Sequence, residues 1–128
     1  MTLVLDSGGI SVLAGNRAVL QSLRRRDAWP PQVPAVVLAE SLTGDHRRDF
    51  HANQLIRMCQ VHDVHESLAR EAASLRHATT RADSISAVDA IVVAFAARQM
   101  APVVLTADPD HLGALAVHAS QHITISGT

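Results

Sequence analysis

Eight consecutive apolar residues, Ala90-Ile91-Val92-Val93-Ala94-Phe95-Ala96-Ala97, lie inside a stretch from 86 to 99 that contains neither proline nor glycine. As a helix this stretch is apolar almost all round, and such a helix belongs in an interior. Other elements must therefore surround it. Short apolar strands are at hand in Leu3-Val4-Leu5, Val103-Val104-Leu105 and Ile123-Thr124-Ile125, with briefer ones at Val33 and over 60–64. Between them, helices are predicted over 10–13, 17–26, 34–44, 47–58, 67–77 and 108–119, with Pro34 suited to a first helical turn. Strands separated by helices need crossover connections, so the sheet is parallel and lies between helical layers. The expected fold is α/β, an α/β/α sandwich with a central parallel sheet of four or five strands.

The length of 128 residues suits a single domain spanning 1–128. Aromatic residues make up 2% and Tyr is absent, so Ala, Val, Leu and Ile must build the core. Stacked aromatic platforms for RNA or sugars are thereby nearly excluded. The single cysteine, Cys59, rules out a disulfide scaffold or a multi-cysteine zinc site and fits a reducing compartment. No apolar run is long enough to cross a bilayer, and Asp6 interrupts any signal-peptide pattern, so a cytoplasmic location away from membranes is expected. All eleven strong bases are Arg. Without lysine there is no Walker P-loop, no Schiff-base chemistry and no receiver-type phosphorylation site.

The acids carry the chemistry. Asp6 and Asp108 each follow a predicted strand and would emerge at the same sheet edge, where such folds bind ligands. Glu40 and Asp89 lie near helix segments facing that edge, and Asp110 follows closely after Asp108. Structural roles are available for most of them. Asp6 can stabilise the Ser7-Gly8-Gly9 turn, Asp108 can cap a helix ahead of Pro109, and Asp89 stands three residues after Ser86, as in a capping box. Glu40 follows Val36 and Val37 by four and three residues and is expected to face the apolar interior, where an unpaired carboxylate is costly. Together the acids repel one another, and a hard divalent cation, Mg2+ or Mn2+, is the usual remedy for an all-oxygen set. Such ions lower the pKa of water and polarise phosphoryl oxygens, which makes a phosphodiester the natural substrate.

The sequence Leu3-Val4-Leu5-Asp6-Ser7 resembles the opening strand and first acid of the PIN-domain ribonucleases. Val33-Pro34-Ala35-Val36-Val37-Leu38-Ala39-Glu40 is similar to their second acidic motif, and Ser86-Ala87-Val88-Asp89-Ala90-Ile91 to their third. Val104-Leu105-Thr106-Ala107-Asp108-Pro109-Asp110 is similar to the last, in which Thr or Ser precedes the acid by two positions. The resemblance covers essentially the whole chain and is nearest to the VapC-like toxins of bacterial toxin–antitoxin pairs. It implies a PIN-like sandwich, dependence on Mg2+ or Mn2+, cleavage of single-stranded RNA, homodimerisation and inhibition by a cognate antitoxin. Under it Asp6, Glu40, Asp89 and Asp108 hold the ions, Asp110 assists, and Thr106 and Ser7 support. Expected products are a 5′-phosphate and a 3′-hydroxyl. Gly8-Gly9 departs from the family pattern and is expected to loosen the first helix, and His111 stands where an aromatic Phe is common.

Arg24-Arg25-Arg26 and Arg47-Arg48 read as solvated faces with Asp27, Asp45 and Asp49 as counter-charges, or alternatively as contacts to RNA phosphates. His62 and His65 read as surface histidines, Cys59 as a small core residue and Trp29 as a packing residue. Two rival functions stand beside the nuclease. A haloacid-dehalogenase-like phosphatase needs an acid at position 8 and a lysine, and has neither. A non-catalytic PIN-like module that binds a metal or a partner uses the same acids without turnover.

Overall fold

The first strand, β1 (Thr2–Leu5), is buried over its last three residues, as a strand covered on both faces must be. A computed structural model describes residues 1–128. After β1 the chain continues through α1 (Ser7–Ala14), α2 (Arg17–Arg24), β2 (Gln32–Pro34), α3 (Val36–Ser41) and α4 (Phe50–Met58). It then forms β3 (Gln60–His62), α5 (Glu66–Ala78), α6 (Ala87–Ala96), β4 (Pro102–Thr106), α7 (Pro109–Ala116) and β5 (Thr124–Gly127). The five strands make one sheet in the order β3-β2-β1-β4-β5, parallel throughout. The expected sandwich is observed.

Strand order dictates where the helices go. The chain first steps outward from β1 to β2 and β3, then returns to β4 on the other side of β1 and continues to β5. Right-handed crossovers place α1–α4 on one face and α5–α7 on the other. The packing agrees, since α1 meets α2, α3 and α4 while α6 meets α5 and α7. The direction of winding reverses between β1 and β4, which opens a crevice beyond their carboxyl ends. Register places Leu5 beside Leu105, so the residues that follow each strand meet there.

The apolar helix α6 is the interior element its composition requires. Ala90 and every residue from Val92 to Ala96 are buried, and the helix lies against β1, β2 and β4. It ends at Ala96, before the expected boundary at 99. Arg98 turns outward there, pairing with Glu71 at 2.8 Å and donating to Ser67 Oγ at 2.8 Å.

Several boundaries differ from expectation. Pro34 is the last residue of β2 rather than the start of a helix, because Ala35 N donates to His62 O at 2.7 Å and extends the ladder past it. The helix expected to reach Gly44 stops at Ser41, and the next begins at Phe50 instead of 47. Both changes have one cause. The buried Asp49 carboxylate accepts from Thr43 N (2.9 Å to Oδ1), Thr43 Oγ1 (2.9 Å) and Gly44 N (2.9 Å), and so organises the turn between α3 and α4. Gly44 supplies the positive φ of +87° that this turn needs. Strand β3 ends at His62, and His65 then caps α5 by accepting from Leu68 N at 3.4 Å. His62 is half-buried against Phe95, with ring centroids 5.0 Å apart, rather than a surface residue.

Gly8-Gly9 tightens α1 instead of loosening it. A Cβ on Gly8 would fall 2.5 Å from Ala107 Cβ, and one on Gly9 would fall 2.5 Å from Leu105 O. Only bare backbone lets α1 approach the end of β4 so closely. Replacing Gly9 by Ala gains roughly 1 kcal/mol of helix propensity but presses on a strand carbonyl, an overpacking penalty of about 1–3 kcal/mol. Gly9→Ala is therefore expected to lower stability. Gly15→Ala, whose Cβ would meet only Ser11 O at 3.9 Å, should raise it by about 0.4–1 kcal/mol. Urea denaturation of both variants checks the contrast in sign.

Candidate functional site

Asp6 leaves β1 and becomes the N-cap of α1, with Oδ1 accepting from Gly9 N at 2.8 Å. Its other oxygen, Oδ2, accepts from the hydroxyl of Thr106, the fully buried last residue of β4. The Thr106 oxygen in turn accepts from Asp108 N at 2.9 Å. One hydroxyl thus links the acid after β1 to the acid after β4. Asp6 is only 5% exposed, yet an ionised carboxylate offers about four acceptor positions, so both of its oxygens keep capacity for a ligand.

Asp108 caps α7 with Pro109 at the first helical position, as its sequence context predicts. Its Oδ1 accepts from His111 N at 3.4 Å, and its Oδ2 lies 2.7 Å from His111 Nδ1. Asp89 enters from the neighbouring helix, one turn into α6, where Ser86 Oγ accepts from Asp89 N at 3.0 Å. Capping and convergence are therefore compatible, since the caps aim the carboxylates. Asp89, Asp108 and His111 each present a ligand atom, and these atoms all lie within 4.8 Å of one another.

Burial holds the Asp89 carboxyl above the ordinary carboxylate range, with further upward pushes from the charges of Asp108, Asp6 and Glu40 in that order. Four acids from four segments of the chain are thus electrostatically joined. Glu40 corrects an expectation, because it is exposed and does not face the interior. Helix α3 is six residues long and buries only Val37, so its last turn opens sideways. There Glu40 lines a cleft of about 580 Å³ with Ser7, Ser11, Ser41, Arg48 and His51. The Ser41 hydroxyl is buried without a hydrogen-bond partner. The need for a counter-ion rests on Asp89 and its neighbours, not on a buried Glu40.

Asp110 points away from the cluster and pairs with Arg81 at 3.0 Å, both side chains being well exposed. The arginine clusters lack the counter-charges suggested for them. Asp49 is spent on the α3–α4 turn, and Asp45 accepts from the backbone N–H groups of Arg47 (2.9 Å) and Arg48 (3.3 Å). Arg24 instead lies over the Trp29 ring at 5.2 Å. Burial pushes the Cys59 thiol up to about 11, which favours its protonated form, and the thiol donates to Leu55 O at 3.3 Å. The roles of two residues singled out in the sequence are set by the tertiary structure. Asp49 was legible only through the Thr-Gly pair upstream that donates to it, and His111 only through its place one turn after a capping acid.

A parallel α/β sheet that gathers acids beyond its central strands places them where domains of this class bind their ligands. The PIN domain family profile matches residues 16–116, and the chain belongs to that family. The fold is similar to that of DNA-bound VapBC from Salmonella typhimurium, with a TM-score of 0.69 at 14% identity over 99% of this chain and 98% of that one. It is also similar to FitAcB from Neisseria gonorrhoeae, with a TM-score of 0.63 at 18% identity over 96% of each chain. No curated protein matches the sequence. No helix is long and apolar enough to cross a membrane.

The two perturbed acids should move stability in opposite directions. Asp89 has a raised folded pKa, so its ionised form opposes folding above that value, and the penalty vanishes below the ordinary carboxylate pKa. Asp49 is lowered, chiefly by the Thr43 N–H bond, so its contribution is present above the ordinary value and is lost as the pH falls through the folded one. In EDTA at pH 7, Asp89→Asn should raise the melting temperature and Asp49→Ala should lower it. The Asp89→Asn gain should shrink towards pH ~3.5, near the ordinary carboxylate pKa. Thermal melts across this range test both signs; a purely capping role for the Asp89 side chain gives a lower melting temperature for Asp89→Asn.

Proposed function

We propose that this chain is a Mg2+- or Mn2+-dependent endoribonuclease acting on single-stranded RNA, as a single domain. The observation that carries the reading is the meeting of Asp6, Asp89 and Asp108 at the reversal between β1 and β4, within the field of Glu40. The donor set fits a hard cation, being carboxylate oxygens with one imidazole and no thiolate. Asp6, Glu40, Asp89 and Asp108 would hold the metal; Asp110, paired with Arg81, would assist from outside. When bound, the metal supplies a nucleophile from water at neutral pH and neutralises charge on the phosphoryl group.

The protein's own groups supply position. Thr106 holds Asp6 and the start of α7 in register, and Gly9 N anchors the second Asp6 oxygen. Ser7 lines the cleft beside Glu40 and can donate to substrate oxygens. Arg48 and His51 line the same cleft, and Arg48 has no acidic side chain paired with it, which favours the RNA-phosphate reading for that arginine. On this reading the chain is a VapC-like toxin, held in check by a cognate antitoxin, that forms a homodimer and works in the cytoplasm; the likeness in fold to VapBC and FitAcB supports the toxin and antitoxin part of it.

Single-turnover assays on a 5′-labelled single-stranded RNA test the central reading. Cleavage should require Mg2+ or Mn2+, leave a 5′-phosphate and a 3′-hydroxyl, and fall about a thousandfold in Asp6→Asn, the scale of a lost metal contribution of several kcal/mol. Metal binding without cleavage would favour the non-catalytic module. Arg48→Ala should reduce the salt dependence of RNA binding by about 0.7 in log–log slope, the share of one phosphate contact on a single strand. An unchanged slope would return Arg48 to the role of a solvated surface residue.

A further inference from the structure

Three ligand atoms converge in the crevice, and one belongs to an imidazole. Asp89, Asp108 and His111 bring an oxygen, an oxygen and a nitrogen within 4.8 Å of one another. The imidazole is not a casual neighbour. His111 stands one turn after the capping Asp108, which accepts from its backbone N–H at 3.4 Å and meets its ring Nδ1 at 2.7 Å. Both ends of the residue are therefore tied to the same carboxylate, which sets the ring at the mouth of the site. Its side chain is 29% exposed against 47% for Asp108, so the ring is the more enclosed of the pair. Asp6, by contrast, already accepts from Gly9 N and from Thr106.

We propose that His111 is a direct ligand of the metal, so that the ion is held by nitrogen as well as oxygen and Mn2+ is preferred to Mg2+. This rests on the metal-dependent reading above and adds a ligand and a selectivity to the same site. The chemistry follows from the donor. Mg2+ prefers oxygen ligands and retained water, whereas imidazole suits transition metals and gains affinity along the series that begins at Mn2+. The competing role is a positioning one, in which His111 only orients Asp108 through its hydrogen bond. Loss of such a partner also weakens metal binding, by about 10–100-fold, so affinity for one metal alone does not separate the two roles.

The deciding measurement is pulsed EPR on the full-length, metal-stripped protein loaded with Mn2+, with Mg2+ affinity measured by competition. Two variants are compared with the unaltered chain. His111→Phe keeps a ring of similar size without nitrogen, and His111→Gln keeps a donor that can reach Asp108. Metal-free melting curves establish that each is folded. The expected result is imidazole 14N modulation in the unaltered protein, absent from both variants. Mn2+ affinity should fall about tenfold in both, while Mg2+ affinity changes by less than about threefold.

Mn2+ bound with no imidazole modulation in the unaltered protein would overturn the proposal and leave the metal-dependent nuclease standing. So would modulation that persists in both variants, or Mn2+ and Mg2+ affinities that fall in parallel and are restored by Gln. Failure of the folded, unaltered protein to bind Mn2+ at all would remove the metal-dependent reading together with this ligand.

Discussion

The hydroxyl of Thr106 donates to Asp6 and accepts from the backbone N–H of Asp108, and the candidate site is organised around that two-way bond. A buried carboxylate has to be answered by hydrogen bonds or charge. Asp6 is answered on one oxygen by Gly9 N and on the other by Thr106, so it can remain inside the crevice. The same bond ties β1 to the loop that launches α7. Were it absent, the first acid would lose a donor and the last would lose its register. Parallel pairing of Leu5 with Leu105 brings the two strand ends close enough for the link to form.

Helix starts do double work around this link. Asp6 caps α1, Asp108 caps α7, and Ser86 caps α6 one turn below Asp89. Each helix N-terminus has N–H groups to satisfy and a partial positive charge that favours nearby carboxylates. Three helix starts meeting at one sheet edge therefore tolerate an acidic cluster that would otherwise repel itself apart. The tolerance is incomplete, as the raised Asp89 pKa records. Close approach depends on the glycines of α1, since a side chain at Gly8 or Gly9 would collide with Ala107 or with the carbonyl of Leu105.

Much of the architecture was legible because periodicity is a local property. The all-round apolar character of Ala90–Ala97 required an interior helix, and α6 is one. Alternation of strand and helix implied parallel pairing, and the sheet is parallel throughout. Helix ends were less legible, because distant groups decide them. Asp49 read as a counter-charge to its arginine neighbours, yet it bonds Thr43 and Gly44 and thereby sets where α3 stops and α4 starts. Glu40 read as inward-facing from its spacing to Val36 and Val37. On a helix of six residues that buries only Val37, that spacing does not determine orientation.

Taken alone, the residues determined the class of the fold, the positions of Asp6, Asp89 and Asp108 next to strand ends or helix starts, and the exclusion of lysine-based chemistry, disulfide scaffolds and multi-cysteine zinc sites. All of these follow from residue type and short-range order along the chain. Tertiary structure decided which acids meet. It brought Asp89 at the start of α6 to Asp108 at the start of the neighbouring α7, turned Asp110 out to Arg81, left Glu40 at the rim of a cleft and added His111 to the cluster. The physical reason is that strand order and crossover handedness bring segments up to about a hundred residues apart to one edge of the sheet, and no local pattern encodes that distance.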